Sequence, residues 1–271
     1  MPLYQAIVLA IIQGLTEFLP VSSTAHLTLF PWFLGWKDPG LTFDVALHSG
    51  TLVAVLLYFW RMWMDMLWGA AGQGKGSPAE TQEKRRLFWY LVVGTIPGGI
   101  AGYLFERAAE EEFRTPMVIG VAMIVVALLM WAGEHFSRRE ESLSQVSFAD
   151  SIVVGIGQAF AVVPGVSRSG ITMTAGLFRG MTRETAARFS FLLSTPLIAG
   201  AALKKGLEIR HEGLPPDMRL PFALGIVVSG LVGYAVIAWL IRYLERRTFK
   251  VFIFYRLVLG LVVLAWGLRH P

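Results

Sequence analysis

No cysteine occurs in the 271 residues, which excludes disulfide staples, thiolate catalysis and cysteine-based metal sites without fixing a compartment. Charge is also scarce. Only 16% of residues are Asp, Glu, Lys or Arg, against about 25% in soluble domains. A basic n-region followed by a small-residue cleavage site is missing too, so no removable signal peptide is expected. What fills the chain is apolar: 55% of residues are hydrophobic, with eighteen Phe and nine Trp that suit lipid-facing surfaces and membrane interfaces. The net charge of +5 sits mostly in short loops between apolar runs. That pattern points to membrane topology and away from a nucleic-acid partner.

A membrane-crossing helix needs roughly 20 apolar residues. Six stretches qualify, near 42–60, 87–105, 116–133, 185–203, 220–241 and 250–268. Two more apolar regions, 3–35 and 150–180, are interrupted in the middle by "LPVSST" and "VPGVSRSG". Non-helical backbone at membrane depth is tolerated only against protein or a wet cavity. Each region therefore reads as a re-entrant helix–loop–helix, with a single kinked span as the alternative.

The two regions also resemble each other. Aligning Gln13 with Gln158, without a gap, sets Val21, Ser22, Ser23, Thr24 and Ala25 against Val166, Ser167, Arg168, Ser169 and Gly170, and Pro20 against Gly165. Three spans follow each copy, and three is odd, so the second half must be inverted. The expected architecture is an all-α polytopic membrane protein, residues 1–271 forming a single membrane domain. It is an inverted repeat of two halves, 1–133 and 150–271, each a re-entrant helix pair plus three transmembrane helices, joined by a cytoplasmic linker at 134–149. Matching broken helices in two halves point to a midplane site at the repeat interface.

Fourteen Lys and Arg fall on the side that carries Arg61, Arg85, Arg138, Arg183 and Arg246, and eight on the side that carries Lys37, Arg114, Lys204 and Arg219. The positive-inside rule puts the first set in the cytoplasm and both termini outside. Arg168 and Arg256 remain within membrane segments.

An ionisable group at membrane depth marks function by default. Glu17 and Arg168 are such groups, one in each broken region. A structural ion pair locking the halves is the rival reading. Gln13 and Glu17 are spaced i, i+4 and share a helix face. Ser22, Ser23, Thr24, Ser167, Ser169 and Thr172 add hydroxyls, and His26 adds a titratable ring. The Pro/Gly breaks around Gly165 and Pro20 free backbone N–H groups at helix starts, which is anion-binding geometry. An Arg, a carboxylate, a His and many donors around two helix N-termini describe a phosphate site, since Arg forks onto phosphate oxygens. A carboxylate there can hold a divalent cation or activate a nucleophile.

These motifs carry a resemblance. "QGLTEFLPVSSTAHL" and "PGVSRSGITMTAGLFRGM" resemble the two signature motifs of the undecaprenyl-diphosphatase family, also called bacitracin-resistance proteins, and "FDVALHSGT" resembles the family's next segment. Two departures are visible: Gln13 stands where Glu is common, and Ala25 where Gly is usual. The first leaves Glu17 as the only carboxylate of that element.

The resemblance implies hydrolysis of undecaprenyl diphosphate to the monophosphate and inorganic phosphate, which recycles the carrier lipid for cell-wall synthesis in the bacterial cytoplasmic membrane. It implies Glu17 as the essential acid, Ser23 as nucleophile or phosphate-positioning hydroxyl, and Arg168 as phosphate clamp. His26, placed with these catalytic groups, and Thr24, Ser22, Ser167, Ser169, Gly165 and Thr172 would line the site. A divalent cation, Mg²⁺ or Ca²⁺, would be held by Glu17 and Gln13. The site would open to the outer face. The expected partners are the polyprenyl diphosphate and membrane lipid; a homodimer is left open.

A transporter or flippase of a phosphorylated polyprenyl lipid would use the same architecture. A lipid phosphatase of the acid-phosphatase type would carry a Pro-Ser-Gly-His motif, which is absent. Other polar residues have plainer readings. Asp44 suits a helix first turn, and His48 divides between packing and site support. Arg256 has no evident partner, and "YFWRMWMDMLW" around Arg61 reads as an interfacial aromatic belt.

Overall fold

The computed structural model describes residues 1–268 apart from Lys75. Lys75 and Arg269, which enter the charge count, lie outside the described residues. The chain forms α1 (Leu3–Thr16), α2 (Ser23–Leu34), α3 (Leu41–Tyr58), α4 (Trp60–Ala70), α5 (Pro78–Leu104) and α6 (Glu106–Glu111). Then follow α7 (Pro116–Phe136), α8 (Phe148–Ala159), α9 (Arg168–Phe178), α10 (Arg183–Glu212), α11 (Pro216–Arg246) and α12 (Lys250–Gly267). Among the described residues the only extended pairing is an isolated bridge between Glu141 and Met181.

Six helices, α3, α5, α7, α10, α11 and α12, are long and apolar enough to cross a membrane. Their outward faces carry exposed Leu57, Ile100, Val125, Leu231 and Phe254, as lipid contact demands. The chain is an all-α, multi-pass membrane protein. Several helices run past the apolar stretches that reveal them. α5 begins at Pro78, because Ser77 and Glu80 form a reciprocal capping box with Pro at the first helical position. Its first turns are polar, so apolar length does not report them. The aromatic belt around Arg61 is itself a helix, α4.

The four helices of the two broken regions, α1, α2, α8 and α9, have 14, 12, 12 and 11 residues. At about 1.5 Å per residue, none reaches across a hydrocarbon core of about 30 Å. Their neighbours exchange between the halves: α1 lies along α11 and α8 along α5, while α7 pairs with α12 and α3 with α10. Small residues permit these approaches. A Cβ on Gly14 of α1 would come within 2.7 Å of Val232 on α11, and one on Gly155 of α8 would strike the Gly94 carbonyl of α5. Phe18, in the first break, is fully buried and meets Phe191 of α10 edge-on at 5.1 Å. This contact fixes the first break against α10.

Candidate active site

Each break ends in a serine that caps the next helix. Ser22 has φ 76° and its Oγ accepts the Ala25 N–H at 3.3 Å; Ser167 has φ 69° and accepts the Gly170 N–H at 3.1 Å. A non-glycine residue in this region is strained, and the surrounding bonds hold both. Ser22 Oγ also accepts the N–H of Gly165 at 3.2 Å, and Ser169 Oγ donates to the Leu19 carbonyl at 2.9 Å. The tips of the two breaks are thus stitched to one another.

Glu17 lies at the centre, buried. Its Oε1 takes Arg168 Nη2 at 2.6 Å; its Oε2 takes the Ser23 hydroxyl at 2.6 Å, Gln13 Nε2 at 3.0 Å and His48 Nε2 at 3.3 Å. Arg168 also donates to the Ser190 carbonyl at 3.2 Å. Thr172 donates to the Arg168 carbonyl at 2.7 Å and meets the Ser190 hydroxyl at 2.7 Å. His48 Nδ1 lies 2.7 Å from the Asp44 carbonyl. Both nitrogens of His48 face acceptors, a pattern satisfied by a ring carrying both protons.

A cavity of about 340 Å³ opens over this cluster. Glu17, Ser22, Ser23, Thr24, Ser167, Arg168 and His48 line its polar end, Gly98, Val162, Leu197 and Ile198 its apolar wall, and Arg114, Lys204 and Lys205 its rim. Of the residues singled out from sequence, Gln13, Gly165, Ser169, Thr172 and His26 do not line it. Gln13 and Thr172 brace Glu17 and Arg168, while Gly165 and Ser169 join the tips. His26 faces elsewhere: Nδ1 lies 2.7 Å from the Ser22 carbonyl, and Nε2 lies 2.6 Å from the hydroxyl of Tyr255, on which the ring stacks.

Other contributors had weaker signals or none. Asp44 pairs with Arg114 at 3.2 Å, and its Oδ1 is buried without a hydrogen-bond partner. Gln158 lines the cavity with both amide atoms unpartnered. Its alignment with Gln13 marked the position, yet nothing in its spacing marked it as a site residue. Ser190 gave no signal, since it acts through its backbone carbonyl and a tertiary contact.

Hard oxygen donors for a divalent cation are present in Glu17 and in Gln13 Oε1, a buried amide oxygen with no partner. Among the described residues no three acidic or imidazole groups converge to cage an ion. A cation held there would be of the Mg²⁺ kind, which takes one carboxylate and draws further ligands from substrate phosphates and water. It would compete with Arg168, Ser23, Gln13 and His48 for the oxygens of Glu17.

Comparison with known proteins agrees over nearly the whole chain. Residues 6–262 match the family described as Bacitracin resistance protein BacA. An undecaprenyl-diphosphatase of Pelotomaculum thermopropionicum is 49% identical over 264 residues, covering 97% of this chain and 96% of that protein. Those of Moorella thermoacetica and Desulforudis audaxviator are 49% and 46% identical, each match covering 98% of both chains. With its paired motifs facing across one cavity, this chain belongs to the bacitracin-resistance protein BacA family.

Proposed function

We propose that this protein hydrolyses undecaprenyl diphosphate to undecaprenyl phosphate and inorganic phosphate, recycling the carrier lipid for cell-wall synthesis. The observation that carries the reading is the Glu17–Ser23–Arg168 cluster at the floor of a cavity whose wall is apolar and whose rim holds Arg114, Lys204 and Lys205, ion-paired with Asp38 and Asp44, Glu106 and Glu208. A polyprenyl tail stays in lipid along such a wall while its diphosphate enters among the donors.

Ser23 Oγ, 2.6 Å from Glu17 Oε2, is poised to lose its proton to that carboxylate as it attacks the terminal phosphorus. The Oγ–P bond forms while the bond to the bridging oxygen breaks, and undecaprenyl phosphate leaves. Water then cleaves the phosphoserine to release inorganic phosphate. Arg168 turns its fork toward the phosphoryl oxygens, and the first turns of α2 and α9 present N–H groups to the same charge. His48, hydrogen-bonded to Glu17, can return a proton to the departing phosphate. A divalent cation, Mg²⁺ or Ca²⁺, bound by Glu17 and Gln13 Oε1, would neutralise diphosphate charge.

The cavity rim supports an outward-facing site. Arg114, Lys204 and Lys205 belong to the side with fewer cations, which the positive-inside rule puts outside. In this orientation α1–α2 re-enter from outside and α8–α9 from the cytoplasm. Residues 1–133 and 150–271 form the inverted halves, and 134–149 link them in the cytoplasm. A cysteine placed at Thr24 in this cysteine-free chain should then react with an impermeant thiol reagent added to intact cells.

The exchange of neighbours between halves also suits a carrier of phosphorylated polyprenyl lipid. Purified protein given undecaprenyl diphosphate separates the two. Release of inorganic phosphate supports the hydrolase; binding without release, in folded protein, would leave only the carrier.

A further inference from the structure

Arg256 lies in the middle of α12 and is fully buried. Among the described residues no carboxylate lies within ion-pair distance of it. Its partners are backbone carbonyls. Nη1 donates to Pro20 at 3.2 Å, Nη2 to Gly165 at 2.8 Å and to Val166 at 3.1 Å, and Nε to Met123 of α7 at 3.3 Å.

Two of these acceptors have a particular relation. Pro20 and Gly165 occupy the same position of the two copies when Gln13 is aligned with Gln158. One guanidinium therefore grips the corresponding carbonyl of each break, from a helix that belongs to neither. Carbonyls at a break have lost their helical donors, and at membrane depth no bulk water replaces them. The planar fork spreads five donors over three nitrogens and meets all four carbonyls at once; an ammonium offers three donors from a single nitrogen. The head also sits beneath the start of α9, since a Cβ on Gly170 would lie 3.5 Å from Nη1.

We propose that Arg256 is a positioning residue for the phosphate site. It clamps the two breaks in register, so that Ser23 from one and Arg168 from the other face the same phosphoryl group. Its charge, uncompensated by an acid among the described residues, adds to the field that favours an anion at the tips. A buried cation without a counter-ion is costly, which makes it a poor choice where holding helices together is the only need. The proposal rests on reading the tips as a phosphate site, and its test separates the two.

The full-length protein, Arg256→Lys and Arg256→Gln are purified in detergent and compared for phosphate release from undecaprenyl diphosphate and for amide hydrogen exchange. Expected is a fall in kcat of at least about 10-fold in both variants with KM changed less than about 3-fold. The geometry of the reacting groups is lost, while binding of the tail is kept. Exchange should quicken in peptides covering 19–25 and 164–170 together, and not along α3, α10 or α11.

Unchanged kcat in the Gln variant overturns the proposal. So does exchange that rises throughout the protein, or at one break alone. If neither variant folds with wild-type helix content, Arg256 is a folding residue and the proposal fails. Should the wild type release no phosphate, the phosphatase reading falls. Localised exchange at both tips would still uphold the clamp.

Discussion

Ser22 and Ser167 share a left-handed backbone, a capping hydroxyl and a place at the start of a short helix, yet the residue after each differs. In the first break it is Ser23, a hydroxyl bonded to Glu17; in the second it is Arg168, a guanidinium bonded to the same Glu17. Backbone geometry is common to the two halves, and chemistry is divided between them. In the proposed reaction one half brings an acid and a nucleophile, the other a cation that organises phosphate oxygens. A site of this kind exists only while the two breaks touch, which is why so many bonds tie tip to tip.

The comparison breaks most sharply at Ser23. If the first break supplies the nucleophile, Ser23→Ala should lower turnover at least ~1,000-fold, since removing a nucleophile costs far more than a hydrogen bond. Ser169→Ala, which alters the equivalent surroundings of the second break, should cost far less. A Ser23→Ala variant losing only ~10-fold, about 1.4 kcal/mol, would assign the attack to water. Phosphoserine trapped in acid-quenched wild type, and absent from the variant, would secure the covalent route.

Next come the two charges that meet. Arg168→Lys should be almost as damaging as Arg168→Ala, because a compact ammonium cannot replace the fork. Losses of at least ~100-fold are expected, the scale of one transition-state donor. Glu17→Gln should be as severe, while Glu112→Gln should be silent. A Glu17→Gln variant with wild-type rate would make the ion pair structural, the rival reading of these residues. Chelation belongs beside this test. Removal of divalent cations should suppress turnover, and Mg²⁺ or Ca²⁺ should restore it; full activity in metal-free protein, with metal content measured, would remove the cation from the scheme.

These tests concern residues that were legible in sequence, and the reason is physical. A carboxylate and a guanidinium at membrane depth each need a partner, so Glu17 and Arg168 point to one another across 151 positions. Apolar length disclosed the six crossing helices for the same reason: the bilayer demands it. Where no such demand acts, sequence is silent. The first turns of α5 are polar and capped outside the apolar stretch. Arg256 satisfies backbone carbonyls, which carry no side-chain signature. His26 looks like His48 in sequence, yet Tyr255 engages one and Glu17 the other, a choice made by helix packing alone.

The serine caps sharpen the comparison at smaller scale. Replacing an N-cap serine with alanine costs about 1 kcal/mol, and a loss of that order is expected for Ser167→Ala, whose hydroxyl otherwise meets only the Ser169 hydroxyl at 3.2 Å, a group that keeps the Leu19 carbonyl as partner. Ser22→Ala should cost more, about 2–3 kcal/mol, because the buried N–H of Gly165 also loses its acceptor. Equilibrium unfolding in mixed detergent reads the difference. Equal losses would mean that the bond from Gly165 contributes nothing to holding the breaks together.

The smallest effect should come from the aligned glutamines. Gln13 donates to Glu17, whereas Gln158 is 1% exposed and both its amide atoms lack partners. It stays beside the cavity under Gly98, where a Cβ would lie 3.1 Å from its amide nitrogen. An unpaired buried amide costs free energy, on the order of 1–3 kcal/mol, unless something in the cavity binds it. Gln158→Leu should therefore raise the unfolding midpoint of the ligand-free protein. If the free amide binds substrate, the same change should raise KM several-fold with little effect on kcat, since a contact equal in ground and transition states sets binding alone. Gln13→Leu should do the opposite, lowering kcat through Glu17 and leaving KM nearly alone. If Gln158→Leu stabilises the protein and leaves KM untouched, the second glutamine is a wall of the cavity, and only the first half's glutamine serves the reaction.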